Sequence, residues 1–175
     1  MKSTLDHAQR VRHQENTPGS GLRMRSVPEQ DSALRLAAAS QALRSSAWAG
    51  RNAAALRAAV LELAELDDAM TSARTALQPG LALPATSAYL GRCADFLARA
   101  IDAVMLAAFE PATDVRDQLS DAIEAWEPQV PWEVVFEIAE LADGDVHTRI
   151  FEASAAWDRA ARGLVRRLML GFTPA

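Results

Sequence analysis

The side chains that most often perform catalysis are few and scattered in this chain. Its three histidines are His7, His13 and His147, and its one cysteine is Cys93. A catalytic triad needs an imidazole held between a nucleophile and a carboxylate, and no recognisable motif places Ser or Cys beside His147. We predict that His147 is a first-turn residue at or near the surface of the last helix. Cys93 is predicted to be buried and inert, because reactivity requires an accessible thiolate.

Acidic pairs at metal-binding spacing lack their histidine. Helical di-iron sites use Glu-x-x-His pairs on inward faces, whereas Glu62 with Glu65 and Glu137 with Glu140 have the i, i+3 spacing and no His. All four acids lie on polar helix faces, so we predict that they are solvated. No Asp-rich calcium loop and no glycine-rich phosphate loop is present. The sequence therefore predicts no catalytic residue, no metal and no other cofactor.

Arginines form the patterns that point to a partner. The last predicted helix places Arg159, Arg162 and Arg166 on one face at spacings of three and four, with Arg167 adjacent. Such a strip binds phosphates or an acidic partner. The alternative, which we favour, is pairing with acids of the same bundle, helped by Asp158 four residues before Arg162.

A second group of arginines lies near the start of the chain, at Arg10, Arg12, Arg23 and Arg25. They belong to residues 1–27, which are too polar to fold alone and are predicted to form a flexible arm. The arm is either a solubilising tail or a segment that becomes ordered on a partner, including an acidic face of its own oligomer. These four arginines and the four of the last helix are the predicted partner-binding residues.

Charge is unevenly distributed along the chain. The formal net charge is −5, which favours solubility and no general attraction to nucleic acid. Residues 1–27 carry +3 and the remainder −8, and the segment from Glu110 to Asp145 holds eleven acids and one base, Arg116. An acidic segment of this kind is a solvated surface, a docking face for a basic partner or a mimic of nucleic acid. Acidic segment and arginine strip could also meet across subunits of a symmetric dimer.

The elements that position these residues are helices. The chain has 175 residues, of which 37 are Ala, with few β-branched residues. Ala favours helix more than any other residue, so we predict an all-α fold. Residues 28–175 are expected to form one antiparallel bundle of about six helices, since the connections are short. No stretch approaches ~18 consecutive apolar residues, so no membrane span is predicted.

Apolar periodicity, prolines and capping residues set the predicted helix bounds. The first helix starts near Pro28, and the second runs from about Asn52 to Leu77. The third is capped by Thr86 or Ser87 and ends before Pro111, and Thr113 caps the fourth. The fifth runs from Trp132 to about Ala142 and is expected to pack between other helices. Asp145 caps the last, which ends near Leu170.

Three apolar sets complete the prediction. On the first helix, Leu34, Ala37, Ala38 and Gln41 recur on one side, with Leu36 and Leu43 nearby. Trp126, Trp132 and Trp157 fall in or near apolar stripes, so core packing is the expectation and a pocket between helices the alternative. The third helix is predicted to have an unbroken apolar face. It comprises Tyr89, Cys93, Phe96, Leu97, Ala100, Ile101, Val104, Met105 and Phe109.

The prediction of function depends mainly on the absence of recognisable catalytic motifs from the sequence. Without catalytic motifs and with segregated charge, the chain is expected to be a non-enzymatic interaction module, an adaptor, regulator or assembly subunit. Its partner would be a protein or a second copy of the chain, with nucleic acid less favoured. An alternative is a ligand- or RNA-associated helical domain, including a degenerate HEPN-like one. The Arg and His of catalytic HEPN ribonucleases, four to six residues apart, are missing, since Arg10 and His13 are too close. A small enzyme with a carboxylate site between helices is the third class.

The cellular location is predicted from the lack of a secretory signal and of a predicted membrane span. After Met1 there is no apolar run of ~7–15 residues, as a secretory signal requires. With one Cys and no predicted span, we expect a cytoplasmic protein. Seventeen arginines against one lysine suggest GC-rich coding, and we expect a bacterial source.

Three structural features would separate these classes. A continuous positive groove that includes Arg159, Arg162 and Arg166 favours nucleic acid. A deep pocket holding a charged group with a strongly shifted pKa favours a ligand site or an enzyme. An exposed apolar or charge-complementary face favours an interaction module.

Overall fold

The computed structural model describes residues 27–44, 51–77, 82–110, 113–141 and 144–169. These residues form six α-helices and no strand, which confirms the predicted all-α bundle. The helices are α1 (Val27–Ala42), α2 (Arg51–Ala76), α3 (Pro84–Phe109), α4 (Arg116–Glu124), α5 (Trp132–Ala139) and α6 (Gly144–Met169). In the ranges described, no helix combines the length and apolarity that crossing a bilayer requires.

Helix α3 is the central element of the bundle, and it packs against α1, α2, α4 and α5. Its composition explains this position, because apolar side chains recur along its length and are buried from Tyr89 to Ala108. At the end of the helix, however, Phe109 is exposed. The predicted apolar face of this helix is therefore confirmed except at its last residue.

The most extensive helix–helix contact joins α2 and α6. The two helices are antiparallel, because Glu62 of α2 pairs with Arg167 near the end of α6, whereas Thr75 lies beside Arg149 near its start. Buried alanines on both helices permit this close approach, since a methyl side chain keeps the helix axes near each other. They are Ala59, Ala73, Ala153, Ala156, Ala160 and Ala161.

The first helix buries a different face from the one expected. Leu34 is exposed, and the buried residues are Leu36, Ala39 and Leu43. Leu43 lies just after α1, and its carbonyl oxygen accepts a hydrogen bond from Arg57 Nε of α2 at 3.0 Å. A cation at the carboxyl end of a helix is favourable for the helix dipole, so this bond helps to end α1 and to join it to α2.

The predicted capping residues at three helix starts are wrong. Thr113 lies before α4, where the backbone N–H of Arg116 donates to Asp114 Oδ1 at 3.1 Å instead. Helix α6 begins at Gly144, so Asp145 is in its first turn. Helix α3 begins at Pro84, which places Thr86 and Ser87 inside the helix. Proline suits a first turn because its missing N–H needs no partner there.

Candidate protein-binding surface

Helix α5 is short and is buried on one side only. Pro131 precedes it, and the Pro131 carbonyl accepts the first helical hydrogen bond from the Val135 N–H at 3.1 Å. Val134 and Ile138 point into the bundle and are buried against α3 and α6. The expectation that α5 packs between other helices is therefore wrong, because α5 lies on the outside of the bundle.

Two large aromatic side chains cover the outward side of α5. Trp132 is 74% exposed and Phe136 is 69% exposed. They are one helical turn apart, and their ring centroids lie 6.3 Å from each other. Ala139, one turn further on, is exposed, and Val135 is half-buried. We call these four residues the aromatic face. The prediction that Trp132 packs in the core is wrong, whereas Trp157 is fully buried and Trp126 half-buried.

Glu137 holds α5 against the start of α3. Its Oε1 accepts the Ala85 N–H at 2.8 Å, and its Oε2 accepts the Thr86 N–H at 2.8 Å and the Thr86 hydroxyl at 2.9 Å. The first N–H groups of a helix have no partner within the helix, and a carboxylate there also interacts well with the helix dipole. Glu137 therefore supplies, from a neighbouring helix, the cap predicted at Thr86 or Ser87.

The pKa of Glu137 reflects this position. Partial burial disfavours the charged carboxylate, but the hydrogen bonds from Ala85 and Thr86 outweigh it and lower the pKa below its ordinary value. The expectation of a solvated carboxylate is wrong for Glu137. Glu133 and Glu140 are exposed as expected.

The carboxyl end of α5 is held by α6. The imidazole Nε2 of His147 contacts the carbonyl oxygen of Ile138. Because a carbonyl only accepts, Nε2 carries the proton in this contact. His147 lies in the first turn of α6, as predicted, and is half-buried. With Glu137 and His147 binding it at two places, α5 presents its aromatic face on a fixed backbone.

The arginines of α6 lie near acids of the same chain. Arg159 Nε is 3.7 Å from Glu65 Oε2, and Arg162 Nε donates to Asp158 at 2.8 Å. The Arg162 guanidinium also lies 5.6 Å from the centre of the Trp126 ring. Arg166 is exposed, and within the described part of the chain no ion pair joins it. The arginine strip is thus largely neutralised by its own neighbours.

Arg167 of α6 makes an ion pair with Glu62 of α2. Its Nη1 and Nη2 donate to Glu62 Oε2 and Oε1 at 2.7 and 3.0 Å, a two-pronged geometry that favours strong pairing. The Arg167 side chain is 12% exposed and that of Glu62 is 30% exposed. The expected solvated position of Glu62 is therefore wrong. Gly163 provides the room, because a Cβ there would lie 2.0 Å from Glu62 Oε2 and 2.6 Å from Arg167 Nη1.

We expect Gly163→Ala to separate Glu62 from Arg167. In the native background, a double-mutant cycle of Glu62→Gln and Arg167→Met in urea unfolding should give a coupling free energy of about 1–2 kcal/mol. In the Gly163→Ala background the coupling free energy should fall below about 0.5 kcal/mol. The substitution itself should stabilise α6 by about 1 kcal/mol, because Ala favours helix more than Gly does. Equal coupling in the two backgrounds would contradict the role given to Gly163.

Other groups in the described residues give little support for chemistry. Cys93 is buried, and burial raises the pKa of its thiol to about 12, which agrees with the expected inert residue. Among the residues described, no group of three or more His, Cys, Asp or Glu side chains is placed to hold a metal ion. The four predicted arginines of the arm, Arg10, Arg12, Arg23 and Arg25, lie outside the described residues.

The described residues line two clefts that are open to solvent. One, of about 600 Å³, lies between α1, α2 and α3 and is lined by charged residues that include Asp31, Arg35 and Arg74. The other, of about 440 Å³, lies between α2 and α6 beside Asp68 and Arg149. Tyr89, Cys93 and Glu137, whose pKa values are shifted, lie outside both clefts.

Comparison of the chain with models of known protein families, with curated proteins and with solved structures finds no match.

Proposed function

We propose that this protein is a non-enzymatic interaction module that binds a protein partner through the aromatic face of α5. The observation that carries the proposal is the exposure of Trp132 and Phe136 side by side on a helix fixed by Glu137 and His147. Exposed aromatic pairs at the surface of a monomer mark contact sites more often than scattered apolar residues do.

The energetics of recognition favour these two residues. Trp is among the side chains that contribute most to protein–protein binding, and such residues act best when they need no reordering on binding. Two hydrogen-bonded attachments of α5 reduce the entropy that a partner would otherwise have to remove. Burial of two large aromatic side chains then stabilises the complex by about 3–6 kcal/mol before the costs of association.

The arginine strip of α6 supports the proposal less strongly. Arg159, Arg162 and Arg167 lie close to Glu65, Asp158 and Glu62, so binding an acidic partner or nucleic acid there would compete with these contacts. Arg166 is the exposed member of the strip that no ion pair engages within the described ranges. We therefore place the primary contact on α5 and treat the strip as a secondary one.

The experiment uses the full chain as bait in a lysate of its native host. The variant Trp132→Ser/Phe136→Ser is compared with Leu34→Ser/Leu61→Ser, which removes two leucines that are 70% and 67% exposed on other helices. We expect one protein to be captured by the native chain and the leucine variant and lost from the aromatic variant. Both variants should keep the native circular dichroism, because all four side chains are largely exposed.

Equal capture by the two variants would refute the assignment of the contact to α5. Absence of any stoichiometric protein from the native bait would refute the interaction module itself.

A second candidate function rests on the cleft between α1, α2 and α3. Its volume of about 600 Å³ is in the range of small-molecule sites, and Arg35 and Arg74 lie along it. A thermal-shift screen with small carboxylates and phosphates tests this candidate. A stabilising compound whose effect disappears in Arg74→Gln would support a ligand-binding domain, and a screen without hits would remove it.

A further inference from the structure

We propose that residues 1–26 of the chain itself cover the aromatic face of α5 and that a partner binds by displacing them. This inference rests on the proposed function, since it assigns a regulator to the same surface. A segment that fits this surface has to supply apolar side chains for Trp132 and Phe136 and positive charge for the acids beside them.

The acids lie along one edge of the aromatic face. At 100° per residue, Glu140 and Glu133 follow Phe136 around the helix, and both are exposed. They are seven residues apart, which corresponds to about 10 Å along the helix axis. No basic residue occurs between Asp117 and His147 to neutralise them locally. An occupant with Arg or Lys next to its apolar residues therefore matches both the aromatic side chains and the acidic edge of the face.

Residues 1–26 have this pattern in two places. Val11 stands between Arg10 and Arg12, and in residues 22–25 Leu and Met alternate with Arg23 and Arg25. The segment carries +3 in total, whereas the rest of the chain carries −8. It is thus the basic part of an acidic protein, with its apolar residues placed beside the basic ones.

The segment is also long enough to reach. It ends where α1 begins at Val27, and both α1 and α5 pack on α3. Twenty-six extended residues span up to about 85 Å, more than twice the length of α3, which is about 39 Å. Because the segment is tethered, its effective concentration at α5 is in the millimolar range and a weak contact suffices.

A second copy of the chain fits the same face less well. Two aromatic faces in a symmetric contact would bring Glu133 and Glu140 of one copy towards those of the other, and like charges destabilise such an interface. The exposed parts of Trp132 and Phe136 amount to roughly 300 Å², well short of the ~800 Å² per partner of a stable interface.

The test is site-specific photo-crosslinking in the purified full chain. The photoreactive analogue p-benzoylphenylalanine replaces Phe136 in one protein and Leu61 in the control, and the adducts are mapped by mass spectrometry at low micromolar concentration. From position 136 we expect an adduct within one chain to residues 1–26. Its yield should fall about fivefold or more in Arg10→Glu/Arg12→Glu/Arg23→Glu/Arg25→Glu, and also in about 0.5 M salt, where the Debye length is only a few ångströms.

Three outcomes would overturn the inference. In the first, position 136 gives no adduct to residues 1–26. In the second, position 61 gives that adduct in equal yield. In the third, position 136 gives an adduct between two chains instead of one within a single chain. An adduct that persists unchanged after charge reversal would remove the electrostatic match on which the inference stands. The capture experiment has a separate readout, so partner capture by α5 without the arm adduct would keep the proposed function and reject this inference.

Discussion

Trp157→Ala is expected to lower the free energy of unfolding by about 3–5 kcal/mol, the range measured when large aromatic side chains are deleted from cores. Trp157 is fully buried on α6. The centroid of its ring lies 5.5 Å from the centroid of the Tyr89 ring and 6.0 Å from that of the Phe96 ring. Trp157 thereby joins α6 to the central helix. A loss of this size is a large part of the 5–15 kcal/mol that stabilises a typical domain.

Thermal unfolding followed by circular dichroism measures the effect, and the midpoint should fall by about 10 °C. Trp157→Phe is the matched control. It keeps an aromatic ring and removes an indole N–H that has no hydrogen-bond partner among the residues the structure describes, so its cost should be less than half that of the alanine variant. A drop of less than about 1 kcal/mol for Trp157→Ala would show that α6 does not depend on this contact.

Glu137→Ala is expected to have the second largest effect on stability, and the loss should be confined to α5 and the start of α3. The substitution removes three hydrogen bonds to a carboxylate, and each such bond contributes about 1.5–3 kcal/mol when well shielded. Since Glu137 is partly exposed, we expect about 2 kcal/mol in total. Protection factors for amide hydrogen exchange should fall about 30-fold in α5 and at Thr86.

Glu133→Ala and Glu140→Ala are the matched controls, because they remove exposed acids in the first turn and at the C-cap of α5. They should leave the protection of α5 within about threefold of the native value. Equal loss of protection in all three variants would contradict the role given to Glu137.

Acid should mimic the loss of Glu137. A carboxyl group whose pKa is lowered in the folded state stabilises above its unfolded pKa, and this contribution is lost as the pH falls through its folded pKa. We therefore expect the protection of α5 to be constant near neutral pH and to decrease below about pH 4.5. Glu137→Gln should lack this decrease, as followed by protection factors corrected for the intrinsic exchange rate.

Much of the bundle could be predicted because helical periodicity and prolines are local signals. Leu56, Val60 and Leu63 on α2 are buried at helical spacing, and so are Ile150, Trp157 and Leu164 on α6. Pro131 comes just before the start of α5. These features depend on neighbours three or four residues away, so one sequence suffices to find them.

The aromatic face could not be predicted, because periodicity does not show which apolar side is covered. Trp132, Val134, Phe136 and Ile138 surround most of α5, and burial of Val134 and Ile138 leaves the others outside. That choice depends on how α3 and α6 meet α5, which is a tertiary property. The same holds for α1, whose side with Leu34 is exposed.

Contacts across long sequence separations were missed for the same reason. Glu137 is 51 residues from Thr86, and Glu62 is 105 residues from Arg167. Both acids lie on polar helix faces, where solvation is the ordinary outcome. One local signal was available: Gly163, in the middle of an Ala-rich helix, costs about 1 kcal/mol relative to Ala and so indicates a close approach.

The most direct test of the central claim is the dissociation constant of the captured partner, measured by titration calorimetry with three forms of the full chain. These are the native protein, Trp132→Ala and Leu61→Ala. We predict that Trp132→Ala weakens binding about 30-fold or more, corresponding to a residue that contributes at least about 2 kcal/mol. Leu61→Ala should change the constant by less than about threefold. Equal constants for the native protein and Trp132→Ala would contradict the account, because the partner would then bind elsewhere than the aromatic face.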